Sequence, residues 1–331
     1  MRLENILALT HGKLINEPFV NIFENIVFDE KSVKRGDLFI AFDEEAIQTA
    51  VLNGAYGVVF DKPTQISDAE IAWIKVQNLD DALKRLLRFR LIEKEVRVYE
   101  SNEIILKLAL QVITESTFIA INGSFKEIFK ALWHVESGST LLFSPTLTDK
   151  DIFTDIKSLP KTAIKPITIM EQTLFETSFI YNNTFYERQL ISPFFIPYLE
   201  ELLHLYKSLK INFRLRKFAP IGHFEAVFTN KNFELKEFGT SDKVLIFEKN
   251  TDLIDSEINF LEKHANWAKI IYIIPHTKKY EDNNTIFTYK NEKEILNILQ
   301  NNSFHFALLV GVDKSMLCKP ITNQTQLSLE F

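Results

Sequence analysis

The residues best suited to chemistry in this 331-residue chain stand at Asn122–Gly123–Ser124 and Lys126. An apolar run, Phe118–Ile121, enters this polar corner, and a segment with apolar residues at Ile128, Phe129, Leu132 and Trp133 leaves it. Strand, glycine corner and helix is the layout of a phosphate-binding loop. Such a loop needs several glycines, so that successive backbone N–H groups turn inward around phosphate. It also needs a lysine for the β/γ-phosphates and a Ser or Thr hydroxyl for Mg²⁺. Here there is one glycine and no Gly-Lys-Ser/Thr run. Lys126 is a weak substitute for the phosphate lysine: it lies close to Gly123 and no Ser or Thr follows it. The competing reading is a helix cap, with Ser124 supplying the cap oxygen and Glu127 completing a capping box. We prefer the cap. ATP held without the lysine and the Mg²⁺ hydroxyl would lose several charge-assisted contacts, each worth about 1.5–3 kcal/mol.

Other candidate groups are dispersed. The seven histidines, at 11, 134, 204, 223, 264, 276 and 305, form no HxH or HxxxH pair, so no metal site is expected. Asp43, Glu44 and Glu45 read as a solvated charge run. No Gly-x-Ser-x-Gly and no Cys/His pairing marks a covalent nucleophile. The single cysteine, Cys318, rules out intramolecular disulfides, suits a reducing compartment and reads as a plain thiol. With a formal net charge of −6 and scattered Lys and Arg, nothing favours nucleic acid or an anionic membrane as partner. The N-terminus lacks a signal-peptide core, and no apolar run is long enough to span a membrane.

The elements that must position these residues alternate. Helical spacing appears in residues 1–15, Ala46–Asn53 (ending at Gly54) and Leu79–Arg90, and apolar strand runs in Leu38–Phe42, Tyr56–Phe60 and Ala72–Val76. Arg97–Tyr99 reads as part of a linker, Ser139–Ser144 as a strand and Asp151–Leu159 as a helix. A short Pro- and Lys-bearing segment, Leu159–Thr168, leads to a hairpin turning at Asn182–Asn183 and then to a helix over Pro193–Leu209. Val244–Glu248, Lys269–Ile274 and Phe306–Gly311 are buried strands, alternating with helices at Ser256–Lys263 and Glu292–Gln300. The pattern is α/β, with a doubly wound C-terminal part.

The runs VKRGDLFIAF, AVLNGAYGVVFD and IKVQNLDDALKRLLRFR resemble the N-terminal domain of the Mur ligases. The turn containing Gly222–His223–Phe224–Glu225 resembles the one that opens that family's last domain, with His223 in place of an arginine. The likeness implies ATP-dependent ligases that extend UDP-N-acetylmuramoyl peptides, closest in style to the D-Ala-D-Ala-adding branch. It implies an α/β, three-part architecture: 1–95 as the UDP-substrate-type domain, 96–217 as a truncated central domain and 218–331 as a Rossmann-like C-terminal domain. Glu30 and Lys31 stand where the family places a uridine-holding Ser-Arg pair, and with His223 they are the possible substrate-binding residues. Asn122, Gly123, Ser124 and Lys126 form the degenerate nucleotide loop, from which the family's Gly-Lys-Thr-Thr segment is deleted. The metal-binding stretch that follows in the family is shortened here.

These departures lead to an expectation of no catalytic residues, no metal and no cofactor. The chain would be an inactive homologue that binds or scaffolds in cytoplasmic peptidoglycan precursor synthesis. Its partners would be a UDP-muramoyl peptide or cell-wall synthesis proteins. The alternative is a divergent ligase of UDP-muramoyl peptides that requires ATP and Mg²⁺.

Overall fold

Bulky apolar runs punctuated by Gly, Asn and Pro give the chain many short strands. In the computed structural model the described residues are 1–237, 241–278 and 285–318. They form two compact units: Met1–Leu106 with Thr114–Leu159, and Lys107–Ile113 with the chain from Pro160 onward.

The first unit opens with helix α1 (Leu3–Thr10), β1 (Lys13–Leu14), β2 (Ile26–Val27) and β3 (Leu38–Ile40). Helix α2 (Glu45–Leu52), β4 (Gly57–Phe60), β5 (Ala72–Lys75) and α3 (Leu79–Glu93) follow. The strands order as β1-β5-β4-β3-β2, parallel except for β1. The central strands β3 and β4 are buried at every residue, so they are apolar throughout. Leu38, Ile40 and Val59 join one buried cluster, while Phe39, Val58 and Phe60 join another. The expected helix over residues 1–15 stops at Thr10. His11 turns left-handed at φ 53°, and Gly12 lies so close to Ile74 that a β-carbon would come within 2.6 Å of it.

A second parallel sheet in this unit is built from β6 (Arg97–Glu100), β7 (Phe118–Ala120), β8 (Thr140–Phe143) and β9 (Ile156–Ser158), ordered β9-β6-β8-β7. Helix α5 (Phe125–Trp133) belongs to this unit, and α4 (Glu103–Ala109) begins in it and ends in the Lys107–Ile113 segment of the second. Two expectations are corrected here. Arg97–Tyr99 is an internal strand, not a linker: only Val98 is buried, and β8 and β9 supply backbone partners on either side. The segment expected as a helix over Asp151–Leu159 is a 3₁₀ turn (Lys150–Ile152) followed by β9. Asp149 caps the turn by accepting from the Asp151 N–H at 2.9 Å, and pairing with β6 holds the rest extended.

The second unit carries an antiparallel sheet of β10 (Thr168–Gln172), β11 (Thr177–Tyr181) and β12 (Thr184–Gln189). The β11–β12 hairpin turns at Asn182 and Asn183, both at positive φ, as the Asn-Asn pair predicts. β10 is a strand where the sequence shows only a connecting segment. All five of its residues are exposed, so pairing with β11 defines it, not burial. Helix α6 (Ile196–Leu209) comes next.

The last sheet has β13 (Glu225–Thr229), β14 (Lys243–Glu248), β15 (Ile270–Pro275), β16 (Ile286–Tyr289) and β17 (Phe306–Val310), with helices α7 (Ile254–His264) and α8 (Glu292–Asn301) between strands. The order is β13-β14-β17-β15-β16, parallel apart from β13.

Candidate functional site

Ligands of open α/β sheets bind outside the carboxyl ends of the parallel strands. In the second sheet of the first unit that edge holds the Asn122–Gly123–Ser124 corner, directly after β7. Helix α5 follows at once because Ile128, Phe129, Leu132 and Trp133 are all buried. The Phe129 and Trp133 rings stack at 5.2 Å, and Phe28 meets Phe129 edge-on at 5.0 Å.

The capping box forms in full. The Glu127 N–H donates to Ser124 Oγ at 3.4 Å, and Glu127 Oε2 accepts from the Ser124 N–H at 2.8 Å and from its hydroxyl at 2.8 Å. These donors hold the Glu127 carboxyl below the usual range, so it is ionised. Gly123 sits at φ +129°, and a β-carbon there would approach Glu127 Oε2 to 2.8 Å. The helix N-terminus that would hold an anion therefore already carries one from its own first turn. The ammonium of Lys126 lies 5.0 Å from the centre of the Phe42 ring, and that of Lys130 6.0 Å from the Phe28 ring. Beyond β8, Ser144 Oγ and Thr146 Oγ1 share a hydrogen bond at 2.8 Å, and Thr146 Oγ1 donates to Glu103 Oε2 at 3.4 Å. At this corner a carboxylate accepts from the Ser124 amide and hydroxyl, and the nearby Lys126 ammonium lies over an aromatic face.

Glu30 and Lys31 lie in a 3₁₀ turn, Glu30–Ser32. Asp29 caps it, accepting from the Lys31 N–H at 3.3 Å and the Ser32 hydroxyl at 2.6 Å, and Asn53 Nδ2 donates to the Glu30 carbonyl at 2.9 Å. The turn is pinned at both ends and leaves Lys31 exposed.

His223 belongs to the second unit, in a setting the sequence did not suggest. Its ring is 3% exposed. Nδ1 lies 2.9 Å from Glu248 Oε1, and Nε2 lies 3.3 Å from Lys107 Nζ. An ammonium can only donate, so this network assigns the ring proton to Nδ1, directed at Glu248. Glu248, the last residue of β14, also accepts from the Phe224 N–H at 3.0 Å and the Asn250 N–H at 2.7 Å. Burial pushes its carboxyl up, but the hydrogen bonds from His223 and Asn250 outweigh this and hold it low. Glu257 of α7 is fully enclosed beside it, with neither carboxyl oxygen in hydrogen-bond geometry. Burial first, and the Glu248 charge second, push Glu257 up to about 10, so it is protonated at neutral pH. A modest adjustment of that acid would let it donate to Glu248.

The sequence marks His223 through the resemblance alone and leaves Lys107, Glu248 and Glu257, which the fold gathers around it, unmarked. One signal was present: Ile254, Glu257 and Leu261 share the buried stripe of α7, so a carboxyl stands at a core position. Further along the same sheet edge, Lys249 pairs with Asp313 at 3.0 Å. The Ser315 hydroxyl, with Lys249, depresses the Asp313 carboxyl strongly. Among the described residues no group of His, Cys, Asp or Glu gathers in metal-holding geometry, and no helix is long and apolar enough to cross a membrane. The side chain of Cys318 lies outside the described residues.

No protein-family model matches the chain, and no curated protein is significantly similar to it. Among solved structures, MurF from Acinetobacter baumannii is similar over 93% of this chain and 95% of that one, at 10% identity and a TM-score of 0.50. The MurF ligase from Thermotoga maritima, solved in complex with ADP, is similar over 88% of this chain and 95% of that one, at 12% identity and a TM-score of 0.49. At such identity the likeness is one of fold, and the chain has the fold of a Mur ligase.

Proposed function

We propose that the chain is a Mur ligase homologue that does not ligate, and that it acts as a binding or scaffold component in cytoplasmic peptidoglycan precursor synthesis. The observation that supports this is the Glu127 carboxylate closing the N-terminus of α5. Ligation by this fold needs ATP held with its phosphates clamped by metal and backbone donors. Here the Ser124 amide and hydroxyl donate to Glu127 instead. On this reading ATP and Mg²⁺ are not cofactors of the chain. Asn122, Gly123, Ser124 and Lys126 are helix-start residues, and a UDP-muramoyl peptide is a ligand without being a substrate. Glu30 and Lys31 are the positions through which the first unit would meet it.

The test combines two measurements on the purified chain. Incubated with a UDP-muramoyl peptide, D-Ala-D-Ala and Mg·ATP, it releases no phosphate, and calorimetric titration with Mg·ATP gives no saturable heat. A UDP-muramoyl peptide alone raises the melting temperature, as any ligand selective for the folded state must. Phosphate release matched by ligated product overturns the proposal in favour of a divergent ATP-dependent ligase.

A further inference from the structure

A cavity of about 370 Å³ in the second unit is lined by Gln172, Phe175, Phe228, His264, Trp267 and Phe306, among others. It lies at the amino ends of β14 and β17, where Val244 faces Phe306 across the ladder. That is the opposite edge from the one at which open α/β sheets place their usual ligands. The Phe175 ring centre lies 5.8 Å from that of Phe228 and 6.3 Å from that of Phe306, and Trp267 meets Phe306 edge-on at 5.9 Å. Trp267 is 72% exposed, which leaves a large apolar ring at the mouth of an aromatic-walled hollow. The Gln172 side chain makes no hydrogen bond among the described residues, so its amide offers both a donor and an acceptor. Among the described residues no Lys, Arg, Asp or Glu lines the cavity. Gln172 and His264 also line a neighbouring hollow of about 560 Å³, whose polar residues include Lys165, Tyr198 and Glu200.

We propose that this cavity is a binding site for an uncharged planar heteroaromatic ring, of the purine or pyrimidine type, carried on a polar substituent. Aromatic walls favour a flat ring through stacked and edge-on contacts. The Gln172 amide complements a ring edge that presents a donor beside an acceptor, the geometry by which glutamine reads a base. The volume is at the low end for ligand sites and suits a single ring, with the substituent directed into the adjoining hollow. With no Lys or Arg among the described lining residues, phosphates contribute nothing here, so binding is independent of Mg²⁺. The site does not depend on the capped helix of the first unit and stands whether or not the chain ligates.

Fluorescence of the intact chain tests this. Trp73 and Trp133 are buried, so Trp267 supplies the solvent-exposed emission. Adenosine or uridine, titrated to millimolar concentration, is expected to change that emission saturably, and W267F is expected to lose the signal. ATP with Mg²⁺ is expected to bind no more tightly than adenosine. Gln172→Ala, an exposed edge-strand substitution, is expected to weaken nucleoside binding roughly tenfold, the loss of about one hydrogen-bonded amide pair. It should leave the binding of benzyl alcohol, a ring without the polar edge, unchanged. Non-saturating quenching by both nucleosides overturns the proposal, as does equal affinity of the Gln172→Ala chain for them.

Discussion

Glu257 is the residue whose chemistry departs furthest from its sequence neighbourhood. Its folded pKa, about 10, lies far above the ordinary carboxyl value of 4.5, because burial first and the Glu248 charge second disfavour the ionised form. An acid of this kind lets the folded state keep a proton that the unfolded chain releases. Its contribution is therefore fully favourable below the unfolded pKa, and stability falls as pH rises through the window from 4.5 to about 10. Glu257→Gln removes this slope, because the amide stays neutral at every pH. In urea titrations the variant is expected to be more stable than the parent by about 2–3 kcal/mol near neutral pH, with the difference vanishing near pH 4. The opposite result, a loss of stability at neutral pH, would mean that an ionised Glu257 has a partner. His223→Ala acts in the other direction. It leaves the Glu248 carboxylate buried without its ring donor, and the expected cost is about 3 kcal/mol in the same titration.

At the level of single elements, α5 shows how one short helix can be fixed in the core and capped from within its own first turn. Its apolar face fixes the helix in the core, and its first turn closes on itself. Ser124→Ala removes the cap oxygen and is expected to lower stability by about 1 kcal/mol by chemical denaturation. Gly123→Ala is expected to cost more, since a β-carbon at φ +129° is strained and also displaces Glu127. Neither change is expected to produce ATP binding, because the Lys126 ammonium lies over the Phe42 ring and no further glycines supply inward amides. Strand β10 teaches a different lesson: its exposed residues take their conformation from the neighbouring strand, so no burial pattern in the sequence marks it.

For the whole molecule, the division into two compact units makes a prediction about unfolding. Met1–Leu106 with Thr114–Leu159 has its own buried clusters, and the part from Pro160 onward has another. Scanning calorimetry is expected to resolve two transitions. Glu257→Gln and His223→Ala should move only one of them, and Ser124→Ala only the other. A single transition shifted by all three substitutions would show that the units unfold as one.

The sequence by itself determined the α/β class, most of the buried strands, the Asn182–Asn183 hairpin and the Ser124–Glu127 cap. Each depends on local chemistry: apolar periodicity, a turn pair that tolerates positive φ, or a hydroxyl and a carboxyl three residues apart. Tertiary structure alone decided that Arg97–Glu100 is a central strand, that Ile156–Ser158 pairs with it as a strand in place of a helix, and that Thr168–Gln172 pairs at an edge. It also brought together Lys107, His223, Glu248 and Glu257, from positions up to 150 residues apart by number, and gathered the rings around Trp267. The physical reason is the same in each case. Backbone pairing across strands, the burial of a charge and the convergence of side chains depend on partners distant in sequence, and no local window contains them.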